Sequence, residues 1–180
     1  MRALRNDLAA QARGAGEAAA ARLPLDQFAK FDPFAGYLSQ GSEIDAGPLM
    51  RRLAASGARI ALPAVTDRDA PLVFRLWDPN VALQSDALGV LAPPPASEGV
   101  RPGLVIVPLL AFDRLGGRLG QGGGHYDRTL AELRQQRPVF ALGLAYAGQE
   151  TREIPMEAHD QRLDAILTET DFIPIVRERG

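Results

Sequence analysis

The stretch LVIVPLLAFDRLGGRLGQGGGHYDRTLAEL, residues 104–133, decides the fold. Its opening run, Leu104 to Pro108, is wholly apolar and rich in β-branched residues, the pattern of a strand covered on both faces. Six of the chain's eighteen glycines then fall within residues 116–124. Beyond them the pattern turns amphipathic with helical period through about Gln136. Buried strand, glycine loop and helix in direct succession are the unit of an α/β layer fold.

Outward from this unit the same alternation recurs. Val139 to Ala145 reads as a second buried strand, with shorter ones at Ala165 to Thr168 and Phe172 to Val176. Upstream, Ala58 to Pro63 and Leu72 to Trp77 read as strands, and Phe34 to Leu38 as a short one ending in a polar turn. Between them Asp45 suits an N-cap, Pro48 a first turn and Gly57 a C′ position, which predicts a helix of about three turns. The Pro93–Pro95 run makes Asp78 to Arg101 an expected extended surface loop. Residues 2–22 are alanine-rich and interrupted at Gly14 and Gly16, each costing about 1 kcal/mol against alanine, so one broken helix or two short ones is expected. Leu4 and Leu8 would share its apolar face. The predicted architecture is one α/β layer domain over residues 1–180, with a mainly parallel sheet.

Composition narrows the function. Nineteen arginines and a single lysine, Lys30, face 22 acidic side chains, for a formal charge of −2 and a pI near 5.7. Such a balance provides no global basic field for nucleic acid. The absence of cysteine removes disulfides, thiolate nucleophiles and cysteine zinc sites. The longest apolar stretch, Leu104 to Phe112, is about half a bilayer span, and the N-terminus lacks an apolar signal core, so a cytoplasmic location is expected. No serine lies in a nucleophile elbow.

What remains is anion chemistry at the glycine loop. Missing Cβ atoms let backbone N–H groups approach phosphate oxygens, a helix N-terminus favours negative charge, and Arg118 adds a planar fork for two oxygens. The loop is neither a Walker A sequence nor a GxGxxG fingerprint. A plain surface spacer is the alternative, disfavoured by the adjoining His125, Tyr126 and Asp127. The two histidines, His125 and His159, lack metal-ligand spacing, whereas Asp127 and Asp160 suit Mg²⁺ beside phosphates. Each aspartate also has a plainer reading, as a first-turn helix charge and a solvated loop charge. Trp77 is expected either in the core or as a stacking wall for a flat heteroaromatic ligand. Glu43, placed just before a helix, is either a helix-start charge or an acceptor for ligand amino groups.

The run from Pro108 through Phe112-Asp113, Arg118-Leu119-Gly120, Gly122, Gly124 and Tyr126-Asp127 resembles the signature of the 5-formyltetrahydrofolate cyclo-ligase family. Tyr37 to Asp45, Ala61 to Pro63, the Phe74–Trp77 strand and Ile154 to Glu169 resemble its other segments, so the likeness spans about residues 34–169. The resemblance implies a three-layer α/β/α sandwich related to ribose-5-phosphate isomerase and CoA-transferase proteins. It implies an ATP- and Mg²⁺-dependent cyclisation of 5-formyltetrahydrofolate to 5,10-methenyltetrahydrofolate, with ADP and phosphate released. A folate- or nucleotide-binding paralogue without turnover and a sugar-phosphate enzyme on the same sheet are the alternatives.

Carried over by position, Arg5, Arg118, Leu119, Gly120, Gln121, Gly122, Gly123, Gly124, His125 and Tyr126 are expected at the nucleotide, with Arg118 and Tyr126 positioning the reacting groups. Asp127 and Asp160 are expected on Mg²⁺, and Leu38 and Glu43 at the pterin end of the folate, with Trp77 added on stacking grounds. Two departures stand out. The family's lysine, four residues before the arginine matched by Arg5, falls on Met1, which implies a start placed too late, reduced nucleotide affinity, or a paralogue. The first helical region is also shorter than the family's and weakened by Gly14 and Gly16, while His125, where Phe or Tyr is usual, only exchanges one flat ring for another. Expected partners are the small-molecule folate only, with neither nucleic acid nor membrane, and a monomer or weak homodimer.

Overall fold

The computed structural model describes residues 1–176. Helices α1 (Arg2–Gln11), α2 (Ala15–Arg22) and the single turn α3 (Leu25–Phe28) lead into β1 (Phe34–Ala35), α4 (Gly47–Ala54), β2 (Ile60–Ala64) and β3 (Val73–Leu76). Three short strands follow, β4 (Gln84–Ser85), β5 (Leu91–Ala92) and β6 (Gly99–Val100), then β7 (Leu104–Pro108), β8 (Ala111–Phe112) and β9 (Arg118–Leu119). The chain continues through α5 (His125–Gln136), β10 (Phe140–Leu144), a 3-10 turn at Ala147–Gln149, β11 (Ala165–Leu167) and β12 (Phe172–Pro174).

Eight strands form one sheet in the order β12-β11-β10-β7-β1-β2-β3-β6. The five central strands, β11 to β2, pair in parallel, and antiparallel strands finish both edges. Alternation along each strand explains the unbroken apolar runs. Leu104 and Ile106 of β7 face one layer while Val105 and Val107 face the other, and Leu142 and Ala141 of β10 divide in the same way. Helices α2, α3 and α4 cover the first face, where Phe28 meets Phe140 edge-on at 5.2 Å, and α5 covers the second through Leu130 and Leu133. The expected three-layer α/β/α arrangement is what forms. No helix among the described residues is long and apolar enough to cross a membrane.

Several local expectations are corrected. The segment 78–101 is not a bare loop. The β4–β5 hairpin is held by Asp86, whose carboxylate accepts the backbone N–H groups of Val65, Leu88 and Val90. β6 joins the sheet edge beside β3, and Pro93–Pro95 lies between β5 and β6. Helix α4 starts after Ala46, with Asp45 Oδ1 accepting the Gly47 N–H at 2.8 Å, so Asp45 serves the helix start from one residue further out than a true N-cap. Gly14 breaks the helix, whereas Gly16 lies inside α2. Gly14, at φ 77°, turns the chain between α1 and α2, while a Cβ on Gly16 would strike the Asp45 carbonyl, so this glycine lets α2 pack against the start of α4. Of the expected α1 face only Leu8 packs inward. Leu4 is exposed and Arg5 is the buried residue.

Candidate active site

A cavity of about 620 Å³, within the ordinary range for small-ligand sites, opens at the carboxyl ends of the parallel strands. Strand order reverses between β1 and β7, and an open α/β sheet leaves its crevice at such a switch point. Tyr37, Leu38 and Glu43 enter from the loop after β1, and Pro63 and Val65 from the end of β2. Leu88, Val90 and Leu91 reach in from the β4–β5 hairpin, Pro108 from β7, and Ile154, Glu157 and Asp160 from the segment before β11.

The glycine loop forms the opposite wall, with every residue from Arg118 to Asp127 on the cavity. Gly124 caps α5 in the left-handed region at φ 63° with no side chain satisfying the first turn. The N–H groups that open α5 therefore face the site without helical acceptors. Arg118 is almost fully buried and its Nη2 donates to Asp127 Oδ1 at 2.7 Å. Its buried Nε has no hydrogen-bond partner among the described residues. Arg52 Nε and Arg128 Nε share this state, so it marks no ligand by itself. Unpaired first-turn amides, the Arg118 charge and an open glycine cradle together fit a polyphosphate.

The carboxylates fit a metal only in part. Asp127 Oδ1 takes both Arg118 and the Gln161 N–H, at 2.7 and 2.9 Å, while Asp160 Oδ2 accepts the Glu157 N–H at 2.7 Å. Each aspartate keeps one oxygen outside these bonds, and the two line one cavity. Among the described residues no three acidic or histidine side chains could hold an ion unaided. The set suits a hard cation that draws its remaining ligands from phosphate and water. A histidine-based centre does not form. His159 is largely exposed beside Glu157 and Asp160, and His125 Nδ1 lies 3.3 Å from the Ala70 carbonyl and from Arg128 Nη2.

Two expected residues stand elsewhere. Trp77 does not line the cavity. Strand β3 runs antiparallel to β2, so its first neighbour, Leu72, reaches the site while its end, Trp77, bonds back to Ile60 at the amino end of β2 and packs against the α4-side core. Arg5 lies buried behind the wall. Its Nε donates to Ser42 Oγ at 3.1 Å, Nη1 reaches the Leu109 carbonyl at 3.4 Å, and Nη1 stands 3.6 Å from Glu43 Oε1. Glu43, itself well buried on its side chain, also accepts the Gln121 amide at 3.0 Å through Oε1 and the Gln40 N–H at 3.0 Å through Oε2.

Sequence reading assigns no role to the groups that hold these walls, although Asp113 stands within the signature. Asp113, 1% exposed, accepts the N–H groups of Leu115 and Gly117 through Oδ1, and that of Ile154 through Oδ2 at 2.8 Å. It ties the β8–β9 hairpin, from which the glycine loop springs, to the segment carrying Asp160. An aspartate followed by glycines is a turn signal, but the bond to Ile154, 41 residues on, has no local trace. Gln149, fully buried, bonds the Leu109 carbonyl and the Tyr146 N–H. Burial is the main cause that pushes the Tyr126 phenol well up from its ordinary range, with the Glu43 charge adding and Arg118 opposing. Burial likewise raises Tyr37, whose hydroxyl donates to the Ile44 carbonyl. Both phenols therefore hold their protons further into alkaline solution than a free tyrosine does.

The family model for the 5-formyltetrahydrofolate cyclo-ligase family matches residues 1–169. The 5-formyltetrahydrofolate cyclo-ligase of Escherichia coli (strain K12) is 35% identical over 137 residues, covering 73% of this chain and 75% of that one. The enzyme of the same name from Mycolicibacterium smegmatis is 34% identical over 140 residues, covering 73% and 71%. The NMR structure of Aquifex aeolicus 5,10-methenyltetrahydrofolate synthetase superposes with a TM-score of 0.77 at 26% identity, over 99% of this chain and 94% of that one. A structure of the Mycoplasma pneumoniae synthetase shares the fold, with a TM-score of 0.68 at 19% identity over 93% and 98%. With its signature loop on the cavity and the family model spanning nearly the whole chain, this protein belongs to the 5-formyltetrahydrofolate cyclo-ligase family.

Proposed function

We propose that this chain cyclises 5-formyltetrahydrofolate to 5,10-methenyltetrahydrofolate at the expense of ATP, with Mg²⁺, as a cytoplasmic enzyme of one-carbon metabolism acting as a monomer or weak homodimer. One observation carries the reading. A single cavity joins an anion cradle with unpaired donors to a carboxylate, Glu43, across a distance bridged by the Gln121 side chain.

The chemistry asks for this inventory. A formamide oxygen is a poor leaving group, and transfer of the γ-phosphoryl group to it makes it a good one, with ADP released. The second folate nitrogen then bonds to the formyl carbon and loses its proton, and the oxygen departs as phosphate. No protein nucleophile is needed, so positioning and charge neutralisation supply the rate. The glycine-loop amides, the first turn of α5 and Arg118 bind and orient phosphate oxygens. Asp127 and Asp160 would hold Mg²⁺, which neutralises phosphate charge when bound. Glu43 accepts hydrogen bonds from the pterin's ring donors, and Leu38 supplies apolar wall beside it. Tyr126, protonated at neutral pH like any tyrosine, is a hydrogen-bond donor on the same wall.

The test is the near-ultraviolet absorbance of the methenyl product, followed with purified protein, Mg²⁺, ATP and 5-formyltetrahydrofolate. A rise that requires ATP is expected, and no ATP-dependent rise would end the enzyme reading. Arg118→Lys keeps one charge but loses the fork that serves Asp127 and the ligand together, so apparent ATP affinity should fall about tenfold or more. Unchanged ATP affinity in that variant contradicts the phosphate role.

A further inference from the structure

The hydrogen bond between Gln121 and Glu43 joins the two halves of the cavity, and it does so at the atom a folate would need. Gln121 belongs to the glycine loop and Glu43 to the loop after β1, 78 residues apart, and Nε2 lies 3.0 Å from Oε1. The other partners of this carboxylate are fixed. Gln40 donates from the backbone, and Arg5 approaches from the buried side of the wall. Gln121 alone comes from the exposed, ligand-facing side, on a tip flanked by Gly120 and Gly122. A Cβ at Gly122 would meet nothing within 4 Å, so the tip has room to move away.

Resting on the folate reading above, we propose that Gln121 is an internal competitor for Glu43. Its side-chain amide, a planar N–H donor, holds the carboxylate oxygen that the pterin's own planar N–H donors must take. Folate binding therefore exchanges this bond for bonds to the ligand and releases the tip of the glycine loop. The native residue thereby sets folate affinity below what the cavity would otherwise give. A residue with a purely structural role would do the opposite when removed.

The test measures the dissociation constant of 5-formyltetrahydrofolate by calorimetry, without nucleotide, for the native protein, Gln121→Ala and Gln121→Asn. Gln121 is exposed, so neither change threatens folding. Asparagine keeps the amide but is one methylene too short to span the observed contact. Both variants should bind folate about five- to tenfold more tightly, the net worth of one solvent-exposed hydrogen bond that no longer has to be broken. Equal or weaker binding in the two variants overturns the competition while leaving the folate site standing. Native protein that binds no folate overturns both.

Discussion

Removing Asp113 should loosen the glycine loop without touching any ligand. Its carboxylate is 1% exposed and accepts three backbone N–H groups, from Leu115, Gly117 and Ile154 at 2.9, 2.8 and 2.8 Å. Gly117 and Ile154 are buried, whereas Leu115 is exposed and can turn to water. In Asp113→Ala two amides therefore lose their acceptor outright, at about 1–3 kcal/mol each, and the third loses little. Part of that loss is offset because a buried carboxylate no longer has to be stripped of water. A net loss of about 3 kcal/mol is expected, read as a fall in the urea midpoint at constant m-value. Asp113→Asn retains an acceptor oxygen for one side of the clamp and turns a donor toward the other, so it should fall between native and alanine. The β8–β9 hairpin ends at Leu119, directly before the loop, so ATP affinity should drop in the same order. A loss below about 1 kcal/mol in the alanine variant would show that other contacts hold the hairpin, and the clamp would be refuted.

Two further outcomes follow from placement and burial. Trp77→Ala should cost about 2 kcal/mol of stability, because the ring packs half-buried on the α4-side core. The folate dissociation constant should move less than about twofold in that variant, the size of a weak contact, and a larger loss would return Trp77 to the ligand. The raised phenols of Tyr37 and Tyr126 also predict a sign. Unfolded tyrosines ionise near pH 10 while these two hold their protons to higher pH. The native state then binds more protons than the unfolded one, so stability falls as pH rises above about 10. Tyr126→Phe should make that decline shallower in alkaline urea titrations, and an identical slope would count against the burial of its hydroxyl.

Period and spacing made the layers and the glycine loop ahead of α5 legible in the sequence. The run Leu104–Pro108 reads as the strongest buried strand and forms one, and its glycine loop leads into α5 as expected. Boundaries and the role of short pieces were less legible. The β4–β5 hairpin depends on one carboxylate, Asp86, bonding across to Val65, a contact set by tertiary proximity. Trp77 is open in sequence to a core or a stacking reading, and strand direction, which residue type does not show, sets it against the α4-side core. The partners of Arg5 are equally absent from the sequence. Its charge is available to any anion, and packing of α1 gives it to Glu43 rather than to the open loop.

The scarcity of lysine, plain in the composition, leaves arginine and backbone amides as the donors this protein can offer an anion, and the absence of cysteine removes thiol chemistry. The order of strand, glycine loop and helix determined where those amides point, because hydrogen bonding within each element is local. Only the tertiary structure decided which carboxylate meets which cation. Arg118 joins Asp127, Arg5 joins Glu43, and Gln121 crosses the cavity to the same acid. Such pairings depend on distances between segments remote in sequence, and burial sets their strength. Neither quantity exists until the sheet has assembled.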